Sequence, residues 1–107
     1  ESRRGVENIE AILAVEGIDV GFIGPNDMTQ DYGILGQFEH PDIVAAFERV
    51  IAAARANGKW SGVHFGSAAP LAPWLSRGMQ INMCGSDNGL LALGAAAMRR
   101  QLEGGVA

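Results

Sequence analysis

Ile18-Asp19-Val20-Gly21-Phe22-Ile23-Gly24-Pro25-Asn26-Asp27 is the stretch on which the fold turns. Its first six residues are mostly apolar and rich in β-branched side chains, as expected of a strand covered on both faces in a parallel sheet. Gly24 and Pro25 stop that strand, so Gly24-Pro25-Asn26-Asp27 reads as a turn at its C-terminal end. Beyond it, the segment through Asp31-Tyr32-Gly33 to Glu39-His40 carries scattered polar residues and glycines and reads as a loop of functional length.

Working outward, Val6, Ile9, Ile12 and Leu13 recur at helical spacing, which predicts one short amphipathic helix over Val6–Val15 with Gly17 as its stop. Downstream, Pro41 suits a first helical position. Ile43, Phe47, Val50, Ile51 and Ala54 form one stripe from there to Asn57, with Asp42, Glu48, Arg49 and Arg55 off it. The pattern then predicts a strand over Trp60–Phe65, a helix over Ala69–Arg77 and a strand over Met79–Cys84. A final helix runs to about Leu102, with Leu91, Ala95, Met98 and Leu102 facing one way. The order is α-β-α-β-α-β-α. Alternation of this kind implies parallel strands joined by right-handed crossovers, hence the α/β class. Three strands leave two open edges and helices with little to cover. The chain has 107 residues, which allow one domain at most, against the roughly 250 of a closed (β/α)8 barrel.

A composition of 48% hydrophobic and 19% charged residues fits an ordinary soluble α/β protein. The net charge of -4 and the absence of a Lys/Arg cluster argue against nucleic acid and acidic membrane surface as partners. No apolar run reaches the roughly 18 residues of a membrane span. The chain begins at Glu1 with no charged and apolar leader after it, so no targeting segment is expected. Cys84 is the only cysteine. That excludes an internal disulfide or thiolate metal site, suits a reducing cytoplasm, and leaves Cys84 a core residue by its apolar neighbours.

In βα units the C-terminal strand ends and the loops after them share one face, where such sheets place their sites. The three ends here are Gly24 to Thr29, His64 to Ser67 and Gly85 to Asn88. The first offers most chemistry: Gly24 and Pro25 allow backbone amides close to a ligand, and Asp27 adds a carboxylate. Glu1 stands at the start of its helix, one βα unit earlier. Adjacent parallel strands lie about 4.8 Å apart, so Glu1 and Asp27 could share a cation, and all-oxygen ligation favours Mg²⁺ or Mn²⁺ over zinc. On spacing alone the plainer reading, that both cap helices or face water, is the stronger. His64, a lone histidine between Gly62 and Gly66, reads as packing with a minor role at the mouth. His40 reads as a surface or capping residue, and Ser86 and Asp87 as caps. Trp60, Trp74, Met79 and Met83 read as core, or as surface meant for further strands and subunits.

Glu1-Ser2-Arg3-Arg4-Gly5-Val6-Glu7-Asn8 followed by Gly17 to Thr29, with Phe22-Ile23-Gly24-Pro25-Asn26-Asp27 its most specific part, resembles the HpcH/HpaI aldolase family. Gly36 to Pro41, Ala54 to Lys59 and Gly85-Ser86-Asp87 extend the likeness over nearly the whole chain. The resemblance implies that residues 1–107 are the C-terminal portion of one (β/α)8 TIM-barrel domain. It implies a metal-dependent class II pyruvate aldolase cleaving 4-hydroxy-2-oxo acids to pyruvate and an aldehyde. Glu1 and Asp27 would be the metal ligands, for Mg²⁺ or Mn²⁺ with Co²⁺ a further candidate. Gly24, Pro25, Asn26 and Asp27 would bind substrate, the amides of Asn26 and Asp27 receiving its carboxylate. The family's His base and its Arg come from earlier strands, so no catalytic residue of that kind is expected in this chain, which would be inactive alone. The implied final helix can exchange between subunits, so the intact protein is expected to be a homo-oligomer. Two further readings stand beside it: a non-catalytic remnant serving in packing or assembly, and a related citrate-lyase-like enzyme of enolate chemistry.

Overall fold

A computed structural model describes residues 1–105. Three parallel strands, β1 (Val20–Ile23), β2 (Trp60–Phe65) and β3 (Met83–Cys84), lie side by side in that order. The register sets Val20 against Trp60, Ile23 against Val63, and His64 against Met83. Side chains alternate across the sheet, and the two faces have opposite environments. A Cβ added at Gly21 would sit 3.2 Å from Val50 and 3.3 Å from Leu13, so this face is covered by helices. Ile23, Val63 and Phe65 are buried on it. The opposite face lies open: Phe22 is 41% exposed, Trp60 52% and Met83 57%.

The stripe predicted for the long helix α4 (Pro41–Ala56) is buried in full, with Phe47 inaccessible at its centre. Phe47 packs on Trp74 at 4.6 Å between ring centroids and on Phe65 at 6.4 Å. Trp74 belongs to α5 (Ala68–Ser76), which covers the end of β2. Trp74 and Met79 are therefore core, whereas Trp60 and Met83 lie on the open face.

Four expectations are corrected. The single helix predicted over Val6–Val15 is two, α1 (Arg3–Glu7) and α2 (Ile9–Ala14), because the Asn8 side chain donates to the Arg4 carbonyl at 2.8 Å and turns the chain there. The loop expected after Asp27 begins as a helix, α3 (Pro25–Asp31): Pro25 sits at its first position, where a missing N–H costs nothing. The strand expected over Met79–Cys84 is only its last two residues. Both Gln80 and Ile81 donate to the Ser61 carbonyl, at 2.9 and 3.1 Å, which interrupts the ladder. The Ile81 carbonyl lies so close to Gly62 that a Cβ there would stand 1.7 Å from it, so only glycine fits. Finally, Cys84 is exposed rather than core, since β3 is an edge strand with no neighbour on its far side among the described residues.

The last helix, α6 (Asp87–Gly105), buries none of its residues, and the molecule extends 61 Å along its longest axis. No helix among the described residues is long and apolar enough to cross a membrane.

Candidate active site

The C-terminal ends of β1 and β2 open into one cavity of about 240 Å³. Glu1, Gly24, Pro25, Asn26 and Asp27, the residues singled out by sequence, all line it. Phe22, His64 and Met83 complete the wall from the open face of the sheet. Gly24 lets Glu1 come down onto the turn: a Cβ at Gly24 would lie 3.0 Å from both Cγ and Oε1 of Glu1. Any larger residue there must push the carboxylate away.

Helix α3 supplies the second feature. Pro25 has no N–H, and the Met28 amide is taken by the Gly24 carbonyl at 3.0 Å. The amides of Asn26 and Asp27 are the donors that a first helical turn leaves without an internal acceptor, and no acceptor engages them among the described residues. The start of α3 is held in place by Thr29, fully buried, whose hydroxyl donates to the Asn26 carbonyl at 3.0 Å and accepts from the Gly36 amide at 3.1 Å. The C-terminal end of α3 is held where the Arg3 amide donates to Asp31 at 2.7 Å and the Arg3 guanidinium stacks over Tyr32 at 4.0 Å. Burial raises the Tyr32 phenol above its ordinary pKa of 10.0.

His64 reads from the sequence as packing with a minor role at the mouth. It lines the same cavity, and its Nε2 donates to the Gly85 carbonyl at 3.1 Å, tying the end of β2 to the turn after β3. The signal available was the strand period: His64 and Gly62 share a face, and Gly62 pairs with Phe22. His40 and Ser86 take capping roles. His40 Nδ1 accepts from the Asp42 amide at 3.2 Å, and the Ser86 hydroxyl accepts from the Gly89 amide at 3.1 Å. Asp87, expected to cap as well, is instead the first residue of α6, and its carboxylate accepts from the neighbouring Asn88 amide at 2.8 Å. A larger cavity, about 700 Å³, lies between the Gly36–His40 segment and α5. Its one cation, Arg77, is already paired with Glu48 at 2.7 Å, and it carries no carboxylate pair.

A model of the HpcH/HpaI aldolase/citrate lyase family matches residues 1–93. The chain belongs to that family. The 5-keto-4-deoxy-D-glucarate aldolase of Escherichia fergusonii is 39% identical over 94 residues, 88% of this chain and 37% of that protein. The 4-hydroxy-2-oxo-heptane-1,7-dioate aldolase of Salmonella paratyphi B is 40% identical over 98 residues, 92% of this chain and again 37% of the relative. The chain thus spans little more than a third of the length of these two relatives. A crystal structure of an HpcH/HpaI aldolase/citrate lyase family protein from Burkholderia cenocepacia J2315 superposes with a TM-score of 0.90 at 31% identity. That match covers 96% of this chain and 40% of the other. The expected fold class holds: the open three-stranded sheet and its helices are part of a TIM barrel.

Among the described residues no group of three or more His, Cys, Asp and Glu side chains could enclose a metal ion. Glu1 and Asp27 both line one cavity, and two carboxylates are a donor set that would suit a hard divalent cation, with its other positions left to water and substrate oxygens. The observation that bears on such a site is at Gly24, where the missing Cβ lets the Glu1 carboxylate come down to the turn that carries Asp27.

Proposed function

We propose that residues 1–107 are the C-terminal part of a divalent-metal-dependent class II pyruvate aldolase, which cleaves 4-hydroxy-2-oxo acids to pyruvate and an aldehyde. The observation that carries this reading is the seating of Glu1 on Gly24 at the cavity that Asp27 also lines. The aldolase names of both relatives support it. Glu1 and Asp27 would hold Mg²⁺ or Mn²⁺, with Co²⁺ a third candidate. When bound, such a cation supplies positive charge that stabilises an enolate.

The chain's own residues bind and orient. The free amides of Asn26 and Asp27 would receive the substrate carboxylate at the positive end of α3, while Gly24 and Pro25 keep the backbone low enough for it to approach. The retro-aldol step needs a base for the C4 hydroxyl proton and a donor for the enolate oxygen. In this reading a His and an Arg from earlier strands supply them, in a cytoplasmic homo-oligomer, and residues 1–107 alone have no turnover.

The test uses the intact protein loaded with Mn²⁺ and a 4-hydroxy-2-oxo acid, with pyruvate release as the readout. Asp27→Ala should lower kcat/KM by roughly 100-fold or more and weaken Mn²⁺ binding. Equal Mn²⁺ affinity in the variant would sink the metal assignment, and pyruvate release by the 107-residue chain alone would overturn its incompleteness. The family's pairing of aldolase with citrate lyase keeps a second reading in view, enolate chemistry on a different acid. Product analysis with citrate-type substrates separates the two, and an intact protein inert toward both classes would leave the packing role.

A further inference from the structure

His64 has a geometry that neither the metal pair nor the carboxylate-binding amides require. A carbonyl oxygen carries no proton, so the 3.1 Å contact between His64 Nε2 and the Gly85 oxygen is a hydrogen bond only with the proton on Nε2. In the neutral ring this leaves Nδ1 as a bare acceptor. Nδ1 has no partner among the described residues, and the ring is half-buried in the wall of the cavity shared by Glu1 and Asp27. The tautomer is fixed by a backbone group 21 residues away, at the turn that opens α6, so the acceptor is held in one orientation.

Its surroundings select what it can accept from. Phe22 and Met83, its neighbours on the cavity wall, offer no hydrogen. A carboxylate or a keto oxygen has no proton to give and would meet the Nδ1 lone pair unfavourably. A hydroxyl does have one. We propose that His64 is a specificity-determining residue whose Nδ1 accepts a hydrogen bond from a hydroxyl of the bound oxo acid. It thereby favours hydroxylated 2-oxo acids over pyruvate itself. The proposal rests on the aldolase reading and goes beyond it by naming the group that reads the hydroxyl.

The experiment uses the intact Mn²⁺-loaded protein and three variants. His64→Leu removes both ring functions, His64→Gln keeps a donor for Gly85, and His64→Asn keeps an acceptor near the Nδ1 position. KM and kcat for a 4-hydroxy-2-oxo acid are measured beside the inhibition constant of pyruvate, which lacks a hydroxyl. His64→Leu and His64→Gln should raise KM about tenfold, the effect of one buried hydrogen bond, with pyruvate inhibition within about twofold of wild type. His64→Asn should recover most of the loss. Equal weakening of both ligands, or an unchanged KM in His64→Leu, overturns the proposal while leaving the aldolase reading intact. A wild-type protein that releases no pyruvate overturns both.

Discussion

Helix α4 spans 16 residues and α6 spans 19; both present an apolar stripe at helical spacing. On α4 the stripe is core, and Ile43 and Phe47 are wholly inaccessible. On α6 the corresponding residues face water, with Leu91 77% and Leu102 72% exposed. The difference lies in connectivity rather than in composition. Helix α4 joins β1 to β2, two paired strands that give it a sheet to lie on. Helix α6 follows β3, which has no further strand beside it among the described residues. An amphipathic stripe states that a helix needs a cover, and the strand order decides whether the cover is at hand.

The largest effect expected from this contrast is at Phe47. It touches both Phe65 on the sheet and Trp74 on α5, so Phe47→Ala opens a cavity that neither neighbour can fill. The expected cost is ~3–5 kcal/mol, a large fraction of the 5–15 kcal/mol that an ordinary domain has. Urea unfolding of the 107-residue chain followed by circular dichroism checks it. A midpoint near wild type would mean that α4 is not the centre of the core.

That core was the most legible part of the molecule, because a 3.6-residue stripe on α4 survives every local detail. The turn at Gly24 was legible as a place, and Glu1 and Asp27, singled out from the sequence, both line the cavity beside it. Its local form was not legible: Pro25 reads equally as a breaker or as a first helical residue, and α3 exists because the second applies. The break at Asn8 was hidden because the apolar spacing runs straight through it. Cys84 was misread since apolar neighbours along a strand do not reveal whether the strand is an edge. The tie made by His64 was hidden for a related reason. Its partner, the Gly85 carbonyl, is remote in sequence and belongs to the backbone, which no pattern of residue types displays.

A smaller effect separates the ion pairs of the two helices. Arg49 on α4 reaches another element, donating from Nε and Nη2 to Glu10 on α2 at 2.8 and 2.9 Å. Arg99 on α6 reaches, among the described residues, Glu103, four residues along its own helix. The hydrogen bonds from Arg49, helped by a backbone amide, pull the Glu10 carboxyl down from 4.5 to about 2. A depressed carboxyl stabilises the folded chain above its ordinary pKa and loses that contribution as the pH falls. The α2–α4 clip should therefore weaken between about pH 4.5 and 2. The pair is exposed, so the change is modest and shrinks with added salt. Melting temperatures of wild type and Arg49→Met should differ at pH 6 and converge toward pH 2. A constant gap over that range would remove Glu10 from the account.

The smallest expected effect is the sharpest test of the comparison. Leu91→Gln combined with Met98→Gln places polar groups on the α6 stripe, where neither side chain now touches a core. The apolar area these residues bury on folding is slight, so the 107-residue chain should keep its unfolding free energy within about 0.5 kcal/mol. The same change on α4, at Phe47 and Val50, would strand polar atoms beside Phe65 and Gly21 and unfold the chain. A loss well above 1 kcal/mol from the α6 double variant would show that α6 folds back onto the chain in solution. The open face of Phe22, Trp60 and Met83 would then be the first place to look for the contact, and the two helices would no longer differ in kind.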